Sequence, residues 1–356
     1  MVSISKKLLA CRKDSGLTVK DLALRSGIDA ALISKFENGK RMPTQENLIV
    51  LGQILSIPFD ELKNVWLADK IYKLLEHEED AGEILALAES RVQYLTSSKA
   101  LNIPDLSSAV QNKLASLDRL HRMWSSKKPL AGTQLDKIKE YFNVAYTFES
   151  NRIEGNTLSL QETHLVVNEG LTIGGKSMRE HLEAVNHSEA AHFIEDLVQR
   201  KEDLTLRVLM ELHYLVLKGI DRINAGKYRS VPVRISGSSH IPPQPYLLDK
   251  LMEDYLIHYD QQKGHLHPVI LAAEMHERLA SIHPFIDGNG RTSRLVMNLI
   301  LLQNGYTIAN LKGDNASRIA YYKALENVQA HNDPEPFYHL VADAARESLE
   351  QHLEMA

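Results

Sequence analysis

The sequence predicts an all-α protein: an N-terminal five-helix bundle, a helical linker and a larger α-helical domain. Three observations point there. Helix start and stop signals recur along nearly the whole chain, only one short island alternates like a strand, and no 20–50-residue repeat is present. At 356 residues, with 44% hydrophobic and 24% charged content, the chain has room for two or three domains and the composition of a globular protein.

Residues 1–67 read as five short helices separated by tight turns. "ISKKLLACRK" stops at Ser15-Gly16, and "TVKDLALRS", capped by Thr18, stops at Gly27. "DAALISKFEN" runs from Asp29 to Gly39, Pro43 precedes "QENLIVLGQILS", and Pro58 opens "FDELKNVWL". Residues 68–130 read as an amphipathic helical linker, with "EHEED" (76–80) a solvated turn and "SSKKPLAG" (125–132) a boundary loop. A larger unit, 131–356, follows. Its one exception to helix is "YRSVPVRISGSSHIPPQP" (228–245), which alternates around Val231, Val233 and Ile235 and turns at Gly237, predicting a short hairpin.

Charge and cysteine content narrow the setting. The net charge of −5 divides into +3 over residues 1–67 and −8 over the rest, which permits a nucleic-acid contact at the front without establishing one. No apolar run is long enough to cross a membrane, and "MVSISKKLLACRKDSG" has no secretory-signal layout. The lone Cys11 excludes an internal disulfide framework and a cysteine zinc site, so a reducing cytoplasm is the expected compartment.

The front module resembles helix-turn-helix domains of the phage-repressor and XRE type. Leu17-Thr18, Leu22-Ala23, Gly27, Ile33-Ser34, Glu37 to Arg41, Pro43, Leu51 and Leu55 carry the resemblance over residues 4–67. It implies that the second helix of the motif enters the major groove. Its early residues, Asp29, Ala30 and Ala31, offer few donors for reading bases, whereas Ser34, Lys35, Asn38, Lys40 and Arg41 suit phosphates. DNA contact and a protein-interaction role both stay open here.

The richest chemistry lies in "HPFIDGNGRTSR", residues 283–294. Pro268 opens an apolar helix that should end at His283, because Pro284 disfavours helical backbone before it. Phe285 anchors the loop, and "LVMNLILL" after it is apolar all round, as in a buried helix. Gly288, Asn289 and Gly290 therefore sit at a buried helix N-terminus, where free N–H groups and the dipole favour an anion. Arg291 and Arg294 share a face there; two cations oppose the dipole unless a polyphosphate sits between them. Asp287 supplies a carboxylate for phosphate-bound Mg²⁺, and His283 is the group suited to proton transfer near neutrality. A Walker-type loop is absent, and "HERLA" (276–280) breaks the zinc pattern at its last place, which leaves His276 as a packed residue.

This stretch matches the signature of the Fic (Fido) family, His-x-Phe-x-Asp/Glu-Gly-Asn-Gly-Arg-x-x-Arg, at all eight fixed positions, and the resemblance spans about residues 105–345. It implies transfer of AMP from ATP to a Tyr, Thr or Ser hydroxyl of a target protein, with His283 as base, Asp287 on Mg²⁺, and Gly288, Asn289, Gly290, Arg291 and Arg294 around the phosphates. It also makes 228–240 a flap that orders the target segment, and puts Ser238, Ser239, His240, Tyr321 and Tyr322 beside the nucleotide. "SNRIEG" resembles the inhibitory motif of the N-terminally inhibited Fic class, on a helix spanning about 136–154. Ser150 and Glu154 then act as a brake, with Glu154 pairing to Arg294. A nucleotide-sensing transcription regulator, a de-AMPylating enzyme and transfer of another phosphate-linked group such as UMP remain open, as does a homodimer.

Overall fold

The computed structural model describes residues 3–85, 88, 106–127 and 133–355, in two compact units, 1–101 and 102–356. The linker residues 86–87 and 89–105, and the end of the boundary loop at 128–132, lie outside the described residues.

The first unit contains α1 (Ile4–Asp14), α2 (Val19–Ser26), α3 (Ala30–Glu37), α4 (Gln45–Ile54) and α5 (Phe59–Leu75). Local signals set the boundaries. Thr18 and Asp21 form a reciprocal capping box, Gly27 ends α2 in left-handed backbone at φ 69°, and Asp29 accepts from the N–H groups of Ala31 and Leu32. Leu8, Leu22, Ile33, Phe36, Leu48, Leu51 and Leu62 fill the core, and the Trp66 indole donates to the Pro43 carbonyl at 2.9 Å. Helix α5 runs on through residue 67 to Leu75. A buried ion pair braces the bundle: Arg12 reaches both oxygens of Glu37, at 2.6 and 2.8 Å. Lys35, Asn38, Lys40 and Arg41 are exposed and Ser34 is half-buried, so all five polar side chains are on or near the surface around the end of α3.

The second unit comprises α6 (Ser108–Ser126), α7 (Thr133–Ile153), α8 (Leu160–Asn168), α9 (Met178–Arg200), α10 (Leu206–Leu217), α11 (Leu248–Gln262), α12 (Pro268–Ile282), α13 (Asn289–Gln303), α14 (Asn315–His331) and α15 (Glu335–Met355). Helix α13 is its axis. Leu295, Val296, Met297, Leu299, Ile300 and Leu301 are completely buried, as the all-round apolar sequence requires. Helices α12, α9 and α10 pack around it, and α7 touches its N-terminal part. Helix α6 contributes Val110, Leu114, Leu117 and Trp124 to this same core.

Residues 228–240 correct one expectation. The described residues contain no strand, and the segment is an extended loop with a turn at Gly237 (φ 80°) in place of a β-hairpin. Its side chains do alternate, with Val233 and Ile235 half-buried and Val231 and Arg234 exposed, but neither face is covered well enough to drive a ladder. The loop's ends are bound by the Arg229 side chain, which donates to the carbonyls of Val231 and Pro243.

Replacing Glu37 by Ala should strand the Arg12 charge in the first unit's core and cost about 3 kcal/mol or more. Chemical denaturation of the full chain should show this as an early transition of the first unit.

Candidate functional site

His283 caps α12 in left-handed backbone (φ 50°, ψ 57°), uncommon for a residue other than glycine. Its N–H donates to the Leu279 carbonyl at 2.9 Å, and its own carbonyl accepts from Arg229 Nε at 2.8 Å. The half-buried imidazole has Nδ1 3.3 Å from the Ala280 carbonyl. Burial pushes its pKa down; the Ala280 carbonyl and Glu154 pull upward, Arg229 and His240 pull downward, and the net shift is down. The ring is therefore neutral at physiological pH.

The loop after His283 is pinned from inside. Phe285 is fully buried and stacks on His213, with ring centroids 3.6 Å apart. The Asn289 amide closes on Phe285 from both sides, accepting from its N–H and donating to its carbonyl, each at 3.0 Å. His213 donates from Nε2 to the Asp287 carbonyl at 3.0 Å and accepts the Gly226 N–H on Nδ1 at 2.9 Å, a tautomer assigned from these partners. Burial holds this imidazole down at about 4. Gly288 sits at φ 79°, where a Cβ would meet Val216 and His213 at 3.2 and 3.4 Å.

Above this loop the first turn of α13 presents the N–H groups of Asn289, Gly290 and Arg291, which a helix start leaves without intrahelical acceptors. Arg291, 2% exposed, lies 3.5 Å from Glu183 and 3.4 Å from Asp287, while its Nε and Nη1 have no hydrogen-bond partner. Asp287 is held at 2.6 Å by Arg179. Burial raises the Asp287 pKa, but Arg291, the Gly288 N–H and Arg179 outweigh it, so the carboxyl stays ionised below its ordinary value. Among the described residues no group of three or more His, Cys, Asp or Glu is placed to hold a metal.

Arg294 is nearly inaccessible. It donates from Nε to Ser150 Oγ and from Nη2 to the Ser150 carbonyl, each at 2.9 Å, and from Nη2 to Glu154 at 2.6 Å. Burial opposes its charge, yet Glu154, together with Tyr321 and Tyr146, outweighs it and its pKa is raised. Glu154 lies in the turn just after α7, one-third exposed, with its carboxylate against Gly290; a Cβ on Gly290 would collide with that oxygen.

The remaining predicted residues divide. Tyr321 is buried, its hydroxyl 3.2 Å from His276 and 3.4 Å from Arg294, so it backs the arginine from the core. Tyr322 is half-exposed and donates to the Ile153 carbonyl at 3.3 Å. His240 donates to the Ser281 carbonyl at 2.8 Å, Ser239 to Glu326 at 3.2 Å, and Ser238 accepts the His240 N–H at 3.1 Å. Sequence reasoning missed Arg179, Glu183, His213 and Arg229. His213 left a faint signal, a lone histidine in the apolar run "LMELHYLVL"; the others left none beyond their charge.

A helical body thus sets His283, the first turn of a buried helix and two buried arginines around one loop. Residues 203–301 match the Fic/DOC family and residues 8–62 match a helix-turn-helix family, so the chain carries a Fic/DOC domain behind an N-terminal helix-turn-helix domain. It is similar to curated relatives named protein adenylyltransferase Fic. The relative from Drosophila grimshawi is 31% identical over 333 residues, covering 92% of this chain and 65% of the relative. The one from Nematostella vectensis is 38% identical over 221 residues, covering 61% and 50%. The chain thus spans between half and two-thirds of these relatives. Among solved structures, Fic-1 from C. elegans aligns over 98% of both chains at 25% identity with a TM-score of 0.64. A Fic-domain-containing signaling protein from Bacteroides thetaiotaomicron, 29% identical, aligns over 67% of this chain and 97% of its own with a TM-score of 0.62.

Two outcomes follow from this geometry. Asn289→Ala should leave the buried Phe285 amide and carbonyl unpaired, costing about 2 kcal/mol and speeding hydrogen exchange at 285–288. His187, His213 and His276 are all depressed below 6.5 by burial, so the unfolded chain takes up protons first as pH falls. Stability should be full above pH 6.5 and decline on acidification towards about 4, read as a falling thermal midpoint.

Proposed function

We propose that this chain is a protein adenylyltransferase that moves AMP from ATP to a hydroxyl of a target protein or of itself, restrained by Glu154. The observation that carries the reading is the pairing of a neutral imidazole at the loop rim with a buried guanidinium, Arg291, whose Nε and Nη1 lack acceptors. A buried guanidinium with unfilled donors, its contacts to Glu183 and Asp287 long at 3.5 and 3.4 Å, is costly beside free helix N–H groups unless a further anion completes it. A triphosphate fits that donor set: Asn289 and Gly290 offer backbone N–H groups beside Gly288, whose own N–H is on Asp287, and Arg291 and Arg294 offer charged forks.

His283 would accept the proton of the target hydroxyl as that oxygen bonds to the α-phosphorus and pyrophosphate leaves. A neutral ring is the form that can do so. Asp287 is the carboxylate that would hold Mg²⁺ against the phosphates, where the ion would offset their charge; its bond to Arg179 would then have to loosen. The rest is positioning and charge neutralisation. Ser238, Ser239, His240 and the exposed ring of Tyr322 lie on segments that would border the nucleotide, and the 228–240 loop would present the target segment.

Glu154 supports a self-restrained resting state. It occupies Arg294 and the space over Gly290, both of which the outer phosphates would need. The front domain supports a DNA contact through Ser34, Lys35, Asn38, Lys40 and Arg41. No helix among the described residues is long and apolar enough to cross a membrane, and a cytoplasmic setting belongs to this same reading.

The test is mass spectrometry and α-phosphate label transfer with the purified chain in Mg-ATP. Glu154→Gly should raise transfer, by about tenfold if the pairing adds about 1.4 kcal/mol to the barrier. His283→Ala should lower it by about a hundredfold or more while ATP still binds. An unchanged rate in Glu154→Gly removes the brake, and transfer persisting in His283→Ala removes the base.

A further inference from the structure

Arg229 is a buried cation of the second unit that neither the motif nor the proposed reaction uses. It is 3% exposed, and no ion pair among the described residues includes it. Its guanidinium donates instead to three carbonyls: Nε to His283 at 2.8 Å, Nη1 to Val231 at 3.1 Å and Nη2 to Pro243 at 2.5 Å. Its own N–H donates to the Pro284 carbonyl at 2.9 Å. Burial lowers its pKa.

Three carbonyls are a weak return for burying a full charge, since an apolar side chain would fill the space at lower cost. The geometry says what the charge secures. Val231 and Pro243 are the two ends of the exposed loop, and His283 is the proposed base. One rigid planar group therefore joins both feet of the flap to the residue whose left-handed backbone is the least ordinary in the site.

We propose that Arg229 is a positioning residue that couples the flap to the base, so that a target segment settling on loop 231–243 is felt at the His283 backbone. The inference rests on reading His283 as the base. The coupling has an electrostatic side as well. The groups acting on His283 are Arg229, His240, Glu154 and the Ala280 carbonyl, with Arg229 and His240 disfavouring the imidazolium. Arg229 thus fixes the His283 backbone and helps keep the ring unprotonated.

Two variants of the full chain separate these effects. Arg229→Lys retains the charge but cannot span three carbonyls, whereas Arg229→Met loses both. Hydrogen–deuterium exchange of 231–243 and 283–288 should quicken about tenfold or more in each. The His283 titration midpoint, followed by NMR of histidine-labelled protein and assigned with His283→Gln, should move up in Arg229→Met and stay near the parent in Arg229→Lys. Label transfer in Mg-ATP should fall in both, with ATP affinity retained. Unchanged exchange in both variants, or an unmoved midpoint in a folded Arg229→Met, overturns the proposal. If Arg229→Met does not fold, exchange in Arg229→Lys decides alone: faster supports it, unchanged ends it. If neither the parent nor Glu154→Gly transfers AMP, the adenylyltransferase reading fails, while exchange and titration still report on Arg229.

Discussion

The site depends on one buried cation. Arg294 has almost no access to water, so every donor it carries must find an acceptor within the protein. It finds them on Ser150 and Glu154 at the end of α7 and on Tyr321 of α14. The first turn of α13 is thereby tied to two helices distant in sequence. Glu154 would otherwise face the negative end of the α7 dipole without compensation; Arg294 supplies it. A carboxylate and a guanidinium that would each be badly placed alone stabilise one another.

A second set of constraints gives the loop its shape. Asn289, His213 and Phe285 act from the core side, while Arg179 at Asp287 and Glu154 at Gly290 meet the segment from outside. The Asn289 side chain is spent on the loop itself, so its part in any anion contact falls to its backbone N–H. Gly288 is required on both counts, for its left-handed backbone and for the room His213 and Val216 leave it. A loop pre-formed in this way would lower the ordering cost of any anion that binds it.

Much of this was legible in the residues because local chemistry determines it. Thr18, Gly27, Asp29 and Pro268 mark helix boundaries through capping and backbone preference, and the apolar run after Arg294 could only be a buried helix. The hairpin was misread because alternation around Val233 and Ile235 reports half-burial, and half-burial without a neighbouring strand makes a loop. Arg179, Glu183 and Arg229 were invisible for another reason. Their roles come from partners more than 50 residues away or from backbone carbonyls, which no spacing rule encodes. Tyr321 and Tyr322 show the same limit: adjacent in sequence, one is interior and the other meets solvent.

The narrow gap over Gly290 has a consequence for how this sequence can drift. The Glu154 carboxylate occupies the volume that any side chain at position 290 would claim. Enlarging that residue by even a methyl group would evict the acid and crowd the helix start in a single step. The acid and the helix start therefore share one tolerance, and a lineage could shed the acid by changing position 154 far more readily than by touching the glycine.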